Sequence, residues 1–578
     1  MAEQVNPAVV AAERAWAMLK GAIDANQSFI FEAGAGAGKT YSLIEAVNYL
    51  IDHRGRDYAR AGQKIACITY TNVAKDEIIS RTDQNPTVAA ETIHGFFWPI
   101  IRPFQTELRE ILPTLGRWEE RIAEQGELGT KPIIYDLGYP RISDTEVSLY
   151  HDDVPALAAQ LFGKVKFQRL FTSRFPVLFI DEYQDTNRLV VDALSSNFLD
   201  TNTGPLIGFF GDHWQKIYGR DACGLIEHDR LVSIGKEANF RSTADIVAVL
   251  SEMRPELPQA PKDPESAGSI VVYHSNNWEG ERRKGNHWKG DLPAETARAY
   301  LESAKDRLTA AGWDFAANTT KVLMLTHAVL ADEQGYSDLV QAFDRRESLL
   351  DLEDATMSFL VQTLEPALIA YERNMFGEMF KILAGHAPRI RSHAQKTQWV
   401  EDLNALIDRR NNDTILDVLT LLRGTQRPKL PEAAERRISS MERLHDNPDS
   451  LDEDTTRKAQ EFERIGQVPY RQVTSFAEFI NELVPYKTQH SVKGAEYENV
   501  LVVLGRGWNQ YNFSDMLEWW PDNYPDGKDG AYERARNLFY VACSRPKTHL
   551  ALLFTQELSD GALETLATWF GDDRIEPL

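Results

Sequence analysis

Residues 28–51 read SFIFEAGAGAGKTYSLIEAVNYLI, and the way this stretch divides decides the fold. Ser28 to Ala33 is a short apolar run of strand character. A turn of small residues follows, Ala33-Gly34-Ala35-Gly36-Ala37-Gly38-Lys39-Thr40, and a helical pattern runs from Tyr41 to Ile51. Strand, glycine-rich turn and helix in that order make a phosphate loop. Small residues let backbone N–H groups wrap phosphate oxygens at a helix N-terminus, the lysine reaches the terminal phosphates, and the hydroxyl can ligate magnesium. Gly34, Ala35, Gly36, Ala37, Gly38, Lys39 and Thr40 are accordingly the expected nucleotide-binding residues, with Thr40 also an expected metal ligand. The strict pattern has glycine where this chain has Ala33.

Outward from this stretch, further apolar, β-rich runs begin at Lys64 (KIACITY), Pro176 (PVLFIDEY), Pro205 (PLIGFFGD), Lys321 (KVLMLTH) and Asn499 (NVLVVLG). Most are separated by helical stretches. Runs that are apolar throughout are those of parallel strands covered on both faces, so the fold class is α/β. Polar residues gather where these strands end, and open α/β sheets bind ligands there. The run from Pro176 ends in Asp181-Glu182. One carboxylate can hold magnesium while the next positions and deprotonates a water, the division of labour that phosphoryl transfer to water needs. Asp181 is thus the second expected metal ligand and Glu182 the expected catalytic base. Two mostly helical regions interrupt the pattern, from about 101 to 170 and from about 330 to 485. The second holds amphipathic segments at Tyr336–Leu352 and Trp399–Leu422, then a charged stretch from Asn447 that is expected to be mobile.

The chain of 578 residues is 43% hydrophobic, more than one core normally organises, so several domains are expected. A formal net charge of -23 argues against indiscriminate polyanion binding, and any nucleic-acid path must be local. Glu281-Arg282-Arg283-Lys284 with Trp288 and Lys289 is one candidate contact, although short charge clusters are more often solvated loops. Cys67, Cys223 and Cys543 lie far apart without CxxC spacing, which excludes a disulfide framework or a cysteine zinc site and leaves buried or inert thiols. No apolar run reaches the roughly 20 residues of a membrane span, and Met1 to Val10 has neither a basic region nor an apolar signal core. No membrane association and a cytoplasmic location are expected.

The remaining motifs, in their order, resemble those of the UvrD/Rep family of superfamily 1 DNA helicases. Thr69-Tyr70-Thr71-Asn72 with Ala74, Glu77 and Arg81 resembles the family's TFTNKAA…E…R segment, and Thr92-Ile93-His94-Gly95-Phe96 its TFHG element. Both imply contact with single-stranded DNA, through Tyr70, Thr71, Asn72 and His94. Gly211-Asp212, Gln215 and Ile217-Tyr218 resemble GDxxQxIY, implying that Gln215 senses the γ-phosphate and Tyr218 faces DNA. Asn239-Phe240-Arg241-Ser242 resembles N-[FY]-R-S, implying adenine stacking by Phe240 and an arginine finger at Arg241. Thr488, His490, Ser491, Lys493, Gly494 and Glu496 resemble TxHxxKGLE, with Ala495 replacing leucine. Ribose binding by Glu496 and a DNA contact by His490 are implied. Tyr540-Val541-Ala542-Cys543-Ser544-Arg545 resembles YVALTR, implying a second finger at Arg545. Arg536 matches an upstream arginine of that motif, while Arg534 and Ala535 disturb its preceding acidic pair.

This resemblance implies two RecA-like P-loop NTPase motor domains with mostly helical inserts. Domain 1A covers 1–100 and 171–238, insert 1B 101–170, domain 2A 239–329 and 486–578, and insert 2B 330–485. It implies ATP and Mg2+ as cofactors, DNA that is single-stranded or carries a 3′ tail as partner, and ATP-driven 3′–5′ translocation or unwinding. In isolation Tyr70 and Phe240 would be core aromatics and Arg241 a surface ion pair; their joint order with the other motifs overturns that reading. Two fingers far in sequence from Lys39 and Asp181 can reach one ATP only if two domains close around it. Such preorganised cations stabilise the charge developing on the γ-phosphoryl. No glutamine motif precedes the phosphate loop, Gln4 lying too far from it and Gln27 too close, and Arg220 stands where the family often has tryptophan. The rival reading is an ATP-dependent DNA sensor that regulates a partner nuclease without processive unwinding. A separate nuclease domain is not found in the chain. Its modest length and compact inserts further resemble helicase subunits of bacterial anti-phage systems such as Gabija, in which a separate nuclease subunit is the partner.

Overall fold

The computed structural model describes residues 6–136, 140–219, 221–285, 287–387, 390–447 and 451–578. Strand β1 (Phe29–Ala33) lies inside a six-stranded parallel sheet with β2 (Ile65–Thr69), β3 (Val88–Thr92), β4 (Val177–Asp181), β5 (Leu206–Gly211) and β6 (Val232–Lys236). The strand order is β3-β2-β4-β5-β1-β6. Alternate side chains enter opposite cores. Phe29 and Phe31 pack with Leu19 and Ile23 of α1 (Pro7–Asp24) and Leu43 and Val47 of α2 (Lys39–Ala61). Ile30 faces the other way, into a core that continues through the 101–170 region, where Trp118, Leu157 and Phe162 join Ile68, Ile180 and Phe209. This region therefore sits on the sheet face. Among its helices is a three-stranded ribbon of Ile133–Ile134, Arg141–Ile142 and Val147–Ser148, whose two-residue strands are too short to leave an alternating pattern.

A second parallel six-stranded sheet contains β7 (Ser269–His274), β8 (Thr320–Met324), β9 (Tyr486–Thr488), β10 (Tyr497–Leu504), β11 (Pro546–Phe554) and β12 (Ile575–Pro577). Its order is β9-β8-β10-β11-β7-β12. One face packs against α3 (Ala244–Met253) and α4 (Asp529–Cys543), through residues such as Ile246, Leu250, Leu538 and Phe539. The other shares a continuous core with the helices between β8 and β9, where Val322, Met324, Leu501 and Val503 meet Leu339, Leu360, Val418 and Phe476.

Within that helical region the structure corrects three details. Tyr336–Leu352 divides into the helices Ser337–Ala342 and Arg346–Leu350. Trp399–Leu422 breaks after Asn412, because Thr414 and Asp417 form a capping box that starts the helix Ile415–Thr425. The stretch expected to be mobile is in part the helix Glu453–Gly466, capped by Asp452 and buried through Ala459, Phe462 and Ile465. Its dense charge masks that sparse apolar stripe in the sequence; residues 448–450 lie outside the described residues. No helix among the described residues is long and apolar enough to cross a membrane. The three cysteines are buried and unpaired, and burial pushes their thiols up.

Candidate functional site

Parallel strands deliver their C-terminal ends to one edge, so β1, β4, β5 and β6 place the phosphate loop, Asp181-Glu182, Asp212 and Lys236 side by side. A cleft of about 440 Å³ opens there, lined by Gly34, Ala35, Gly36, Gly38, Lys39, Thr40, Glu182 and Gln215. Tyr41, Glu77 and Arg81 add to it from the helices after β1 and β2, and Phe240, Arg241, Gly494, Glu496 and Arg545 from segments that precede the second sheet's strands. Ala37 is elsewhere, buried in the core under α2. Gly36 and Gly38 adopt left-handed φ values of 75° and 74°. A Cβ on Gly36 would also come within 2.7 Å of Asn239 Oδ1 and 2.8 Å of Arg241 Cβ, so glycine is required for both the turn and the close approach. Asn239 Nδ2 and Gln259 Nε2 each donate to the Ala35 carbonyl at 3.1 Å, which ties the loop to the segment carrying Arg241.

The acidic pair is split by its environment. Asp181 is buried, and its Oδ1 accepts from the Glu182 backbone N–H at 3.1 Å. Burial, and then the Glu182 charge, push its carboxyl up to about 7 against the pull of Lys39. At Glu182 burial pulls the same way, but Lys39 and Lys493 outweigh it and hold this carboxyl below its ordinary range. Glu182 also occupies the left-handed region, φ 49°, which costs a non-glycine residue backbone strain. The Thr40 hydroxyl and the Asp181 carboxylate are hard oxygen donors of the kind magnesium takes, and a cation there would return Asp181 to its charged form. The residues present fit the metal.

The arginines come from the other side. Arg241 Nε donates to Glu496 Oε2 at 3.2 Å and its Nη1 to the Ser544 carbonyl at 3.0 Å. Arg545 is buried, held by the Val541 carbonyl at 2.8 Å and the Ala495 carbonyl at 3.3 Å, with Gln215 Oε1 at 3.4 Å. Burial and then the like charge of Arg241 pull its pKa down, and a polyphosphate between them would relieve both.

A second cleft, of about 550 Å³, is lined by Tyr70, Thr92, His94, His151, Asp185 and Tyr218 among others. The Tyr70 and Tyr218 rings stack at 5.8 Å and 11°, and the His94 ring stacks on His151 at 3.3 Å. Burial, then the neighbouring His151, lower the His94 pKa to about 4. Three other expected DNA residues are not on this lining. Thr71 caps the helix Asn72–Arg81 by accepting from Ala74 N–H at 3.2 Å, and Asn72 is that helix's exposed first residue. His490 is turned into the protein, its Nε2 2.9 Å from the Tyr511 hydroxyl, while its carbonyl accepts from Tyr218 at 2.7 Å. Lys493 joins the two clefts: it pairs with Asp185, stands 3.7 Å from Glu182 and donates to the Gln215 carbonyl at 2.7 Å.

Sequence reasoning did not single out Lys236, Arg254 or Gln259. Arg254, buried, bridges Glu32 at 3.2 Å and Asp212 at 2.5 Å, and both it and Arg536 lie over the Trp214 ring. Glu32, Asp212 and His213 come within reach of one ion, but the arginine already satisfies the two carboxylates. No sequence signal marks such a residue, because its partners lie on non-consecutive strands. The candidate basic patch has largely internal uses. Arg282 donates to the carbonyls of Ser275, Gly290 and Thr555, and Arg283 lies 3.6 Å over the Trp288 ring. Arg220 lies outside the described residues.

Residues 17–221 match the family described as an AAA domain, and residues 315–557 match the UvrD-like helicase C-terminal domain. The chain belongs to the UvrD-like helicases. Among its relatives is the Gabija protein GajB of Bacillus cereus (strain HuB5-5), 24% identical over 93% of this chain and 94% of that protein. The ATP-dependent DNA helicases PcrA of Staphylococcus aureus (strain NCTC 8325 / PS 47) and Bacillus subtilis (strain 168) are 23% and 24% identical. Those matches cover 38% of this chain and 37% and 36% of the respective relatives. In this UvrD-like helicase the two matched segments hold Lys39, Glu182 and Gln215 on one side and Glu496 and Arg545 on the other, while Phe240 and Arg241 fall between them.

Proposed function

We propose that this UvrD-like helicase hydrolyses ATP to move 3′ to 5′ along single-stranded DNA, as the motor of an anti-phage complex whose nuclease lies on another chain. The observation that carries this reading is the shared cleft. Lys39 and Glu182 at the edge of one sheet face Arg241 and Arg545 from the other. In the proposed division, residues 1–100 and 171–238 form motor domain 1A, 239–329 and 486–578 form 2A, and 101–170 and 330–485 are the inserts. The phosphate-loop backbone and Lys39 hold the triphosphate. Glu182 orients water and takes its proton as the water oxygen bonds to the γ-phosphorus and the bond to the ADP oxygen breaks. Arg241 and Arg545 stabilise the charge shifted onto the γ-phosphoryl, and Gln215, bonded to Arg545, registers it. Thr40 and Asp181 would hold Mg2+, which neutralises phosphate charge when bound.

The tyrosine-lined cleft is the proposed DNA track, and stacking there tolerates any base. Lys493 links that track to Glu182, so hydrolysis and grip can change together. Likeness to the Gabija protein along nearly the whole chain supports the defence setting. A motor of this polarity is expected to displace streptavidin from the 5′ end of a biotinylated strand and to leave it on the 3′ end; displacement only from the 3′ end overturns the polarity. The partner is tested by purifying the chain with and without the product of its neighbouring gene and comparing DNA-stimulated ATPase, fork unwinding and DNA cleavage. Cleavage that requires both chains supports the complex. Processive unwinding by the lone chain, with no binding to that neighbour, overturns it, and coupled ATPase and cleavage without unwinding favours the sensor.

A further inference from the structure

Across Tyr41 and Phe240 from the phosphate cleft lies a second cavity, of about 480 Å³, that shares Gly38 and both aromatic rings with it. A nucleotide with its phosphates on Lys39 would extend its base in this direction. The far wall is α1, which brings Val9, Ala12 and Trp16 to the cavity. That wall is largely apolar, and among the described residues Glu13 is its one charged residue and no glutamine lines it. Lys236, at the end of β6, supplies a hydrogen-bond donor instead.

The lysine is 3% exposed, and its Nζ lies 5.9 Å from the Tyr41 ring centre and 5.8 Å from that of Phe240. The ammonium thus lies over both rings, within reach of a flat group held against either of them. It donates to Ser42 Oγ at 2.9 Å and the Gly38 carbonyl at 3.4 Å, and an ammonium has three protons to give. We propose that Lys236 is the donor that reads the base, bonding a ring nitrogen of a purine held between Tyr41 and Phe240, where no glutamine among the described residues lines the cavity. This rests on the reading of the adjoining cleft as an ATP site. Burial works against the Lys236 charge and lowers its pKa to about 8, with Glu45 offsetting only part of that cost. A base acceptor at the third proton would recover more of it. The position at the end of an edge strand, just before the Asn239-Phe240-Arg241 segment, couples the reader to Phe240 and to the finger.

The test compares kcat and KM for ATP, 7-deaza-ATP, 3-deaza-ATP and 1-deaza-ATP in the full chain and in Lys236→Met, with equilibrium ATP binding measured alongside. In the unsubstituted protein the analogue lacking the accepting nitrogen is expected to lose about tenfold in kcat/KM, mostly through KM, the scale of one charge-assisted hydrogen bond. In Lys236→Met, ATP should fall to the level of that analogue, so that the difference between them disappears. Lys236→Ala gives the same readout where methionine is not accommodated, and thermal melting reports whether either variant is folded. A deaza penalty that survives in the folded variants, or no penalty with any analogue, overturns the assignment of Lys236 while leaving ATP binding intact. Absence of ATP binding by the unsubstituted chain, or binding unaffected by Lys39→Ala, overturns the ATP-site reading and this inference together.

Discussion

Glu182→Gln is expected to bind ATP nearly as the unsubstituted protein does while its DNA-stimulated turnover falls by about 10²–10⁴-fold, the contribution of a positioned general base. The amide keeps the shape of the side chain and its capacity to accept from Gln184, but cannot take a proton from water. It also removes a negative charge next to buried Asp181, whose carboxyl Glu182 pushes up, so Asp181 should ionise more readily and the anionic nucleotide should be held at least as firmly. Lys39→Ala removes the cation proposed to hold the triphosphate and should fail in both binding and turnover. Steady-state ATPase together with equilibrium binding of a fluorescent ATP analogue separates the two variants. Turnover in Glu182→Gln equal to that of the unsubstituted chain removes this residue as the base.

Arg545→Ala and Arg241→Ala are each expected to slow hydrolysis by about 10³–10⁵-fold, the range for arginines that act on a phosphoryl-transfer transition state, with a much smaller effect on ATP affinity. The two should differ in their side effects. Arg545 is buried and donates to the Val541 and Ala495 carbonyls; Val541 keeps the Ser544 hydroxyl as a donor, but the loss of the arginine takes a donor from Ala495 and empties a buried site, which should also lower the melting temperature. Arg241 is tied to Glu496, which keeps Lys547 as a partner at 2.7 Å when the arginine is gone, so the fold should tolerate that change better. Single-turnover hydrolysis with ATP binding measured in parallel gives the split between chemistry and affinity. A variant that hydrolyses ATP at the unsubstituted rate shows that its arginine does not reach the γ-phosphoryl.

What the sequence by itself determined is whatever depends on neighbours along the chain. The phosphate loop is legible because strand, small-residue turn and helix are consecutive, and Asp181-Glu182 because a buried parallel strand is apolar to its last residue. The motif order led to the expectation that Lys39, Glu182, Gln215, Arg241, Glu496 and Arg545 act together, and all six line one cleft. Only the tertiary structure decided which side chains stand beside these. The order β5-β1-β6 brings Lys236 next to the phosphate loop, and the packing of α1 sets Val9 and Trp16 across from it. Arg254 reaches Glu32 and Asp212, and Gln259 reaches Ala35, across gaps of many residues in the chain. His490 turns inward to Tyr511, although its motif gave no sign of it. A motif records the backbone that carries a side chain, whereas a buried side chain takes its direction and charge from whatever non-consecutive strands and helices happen to enclose it.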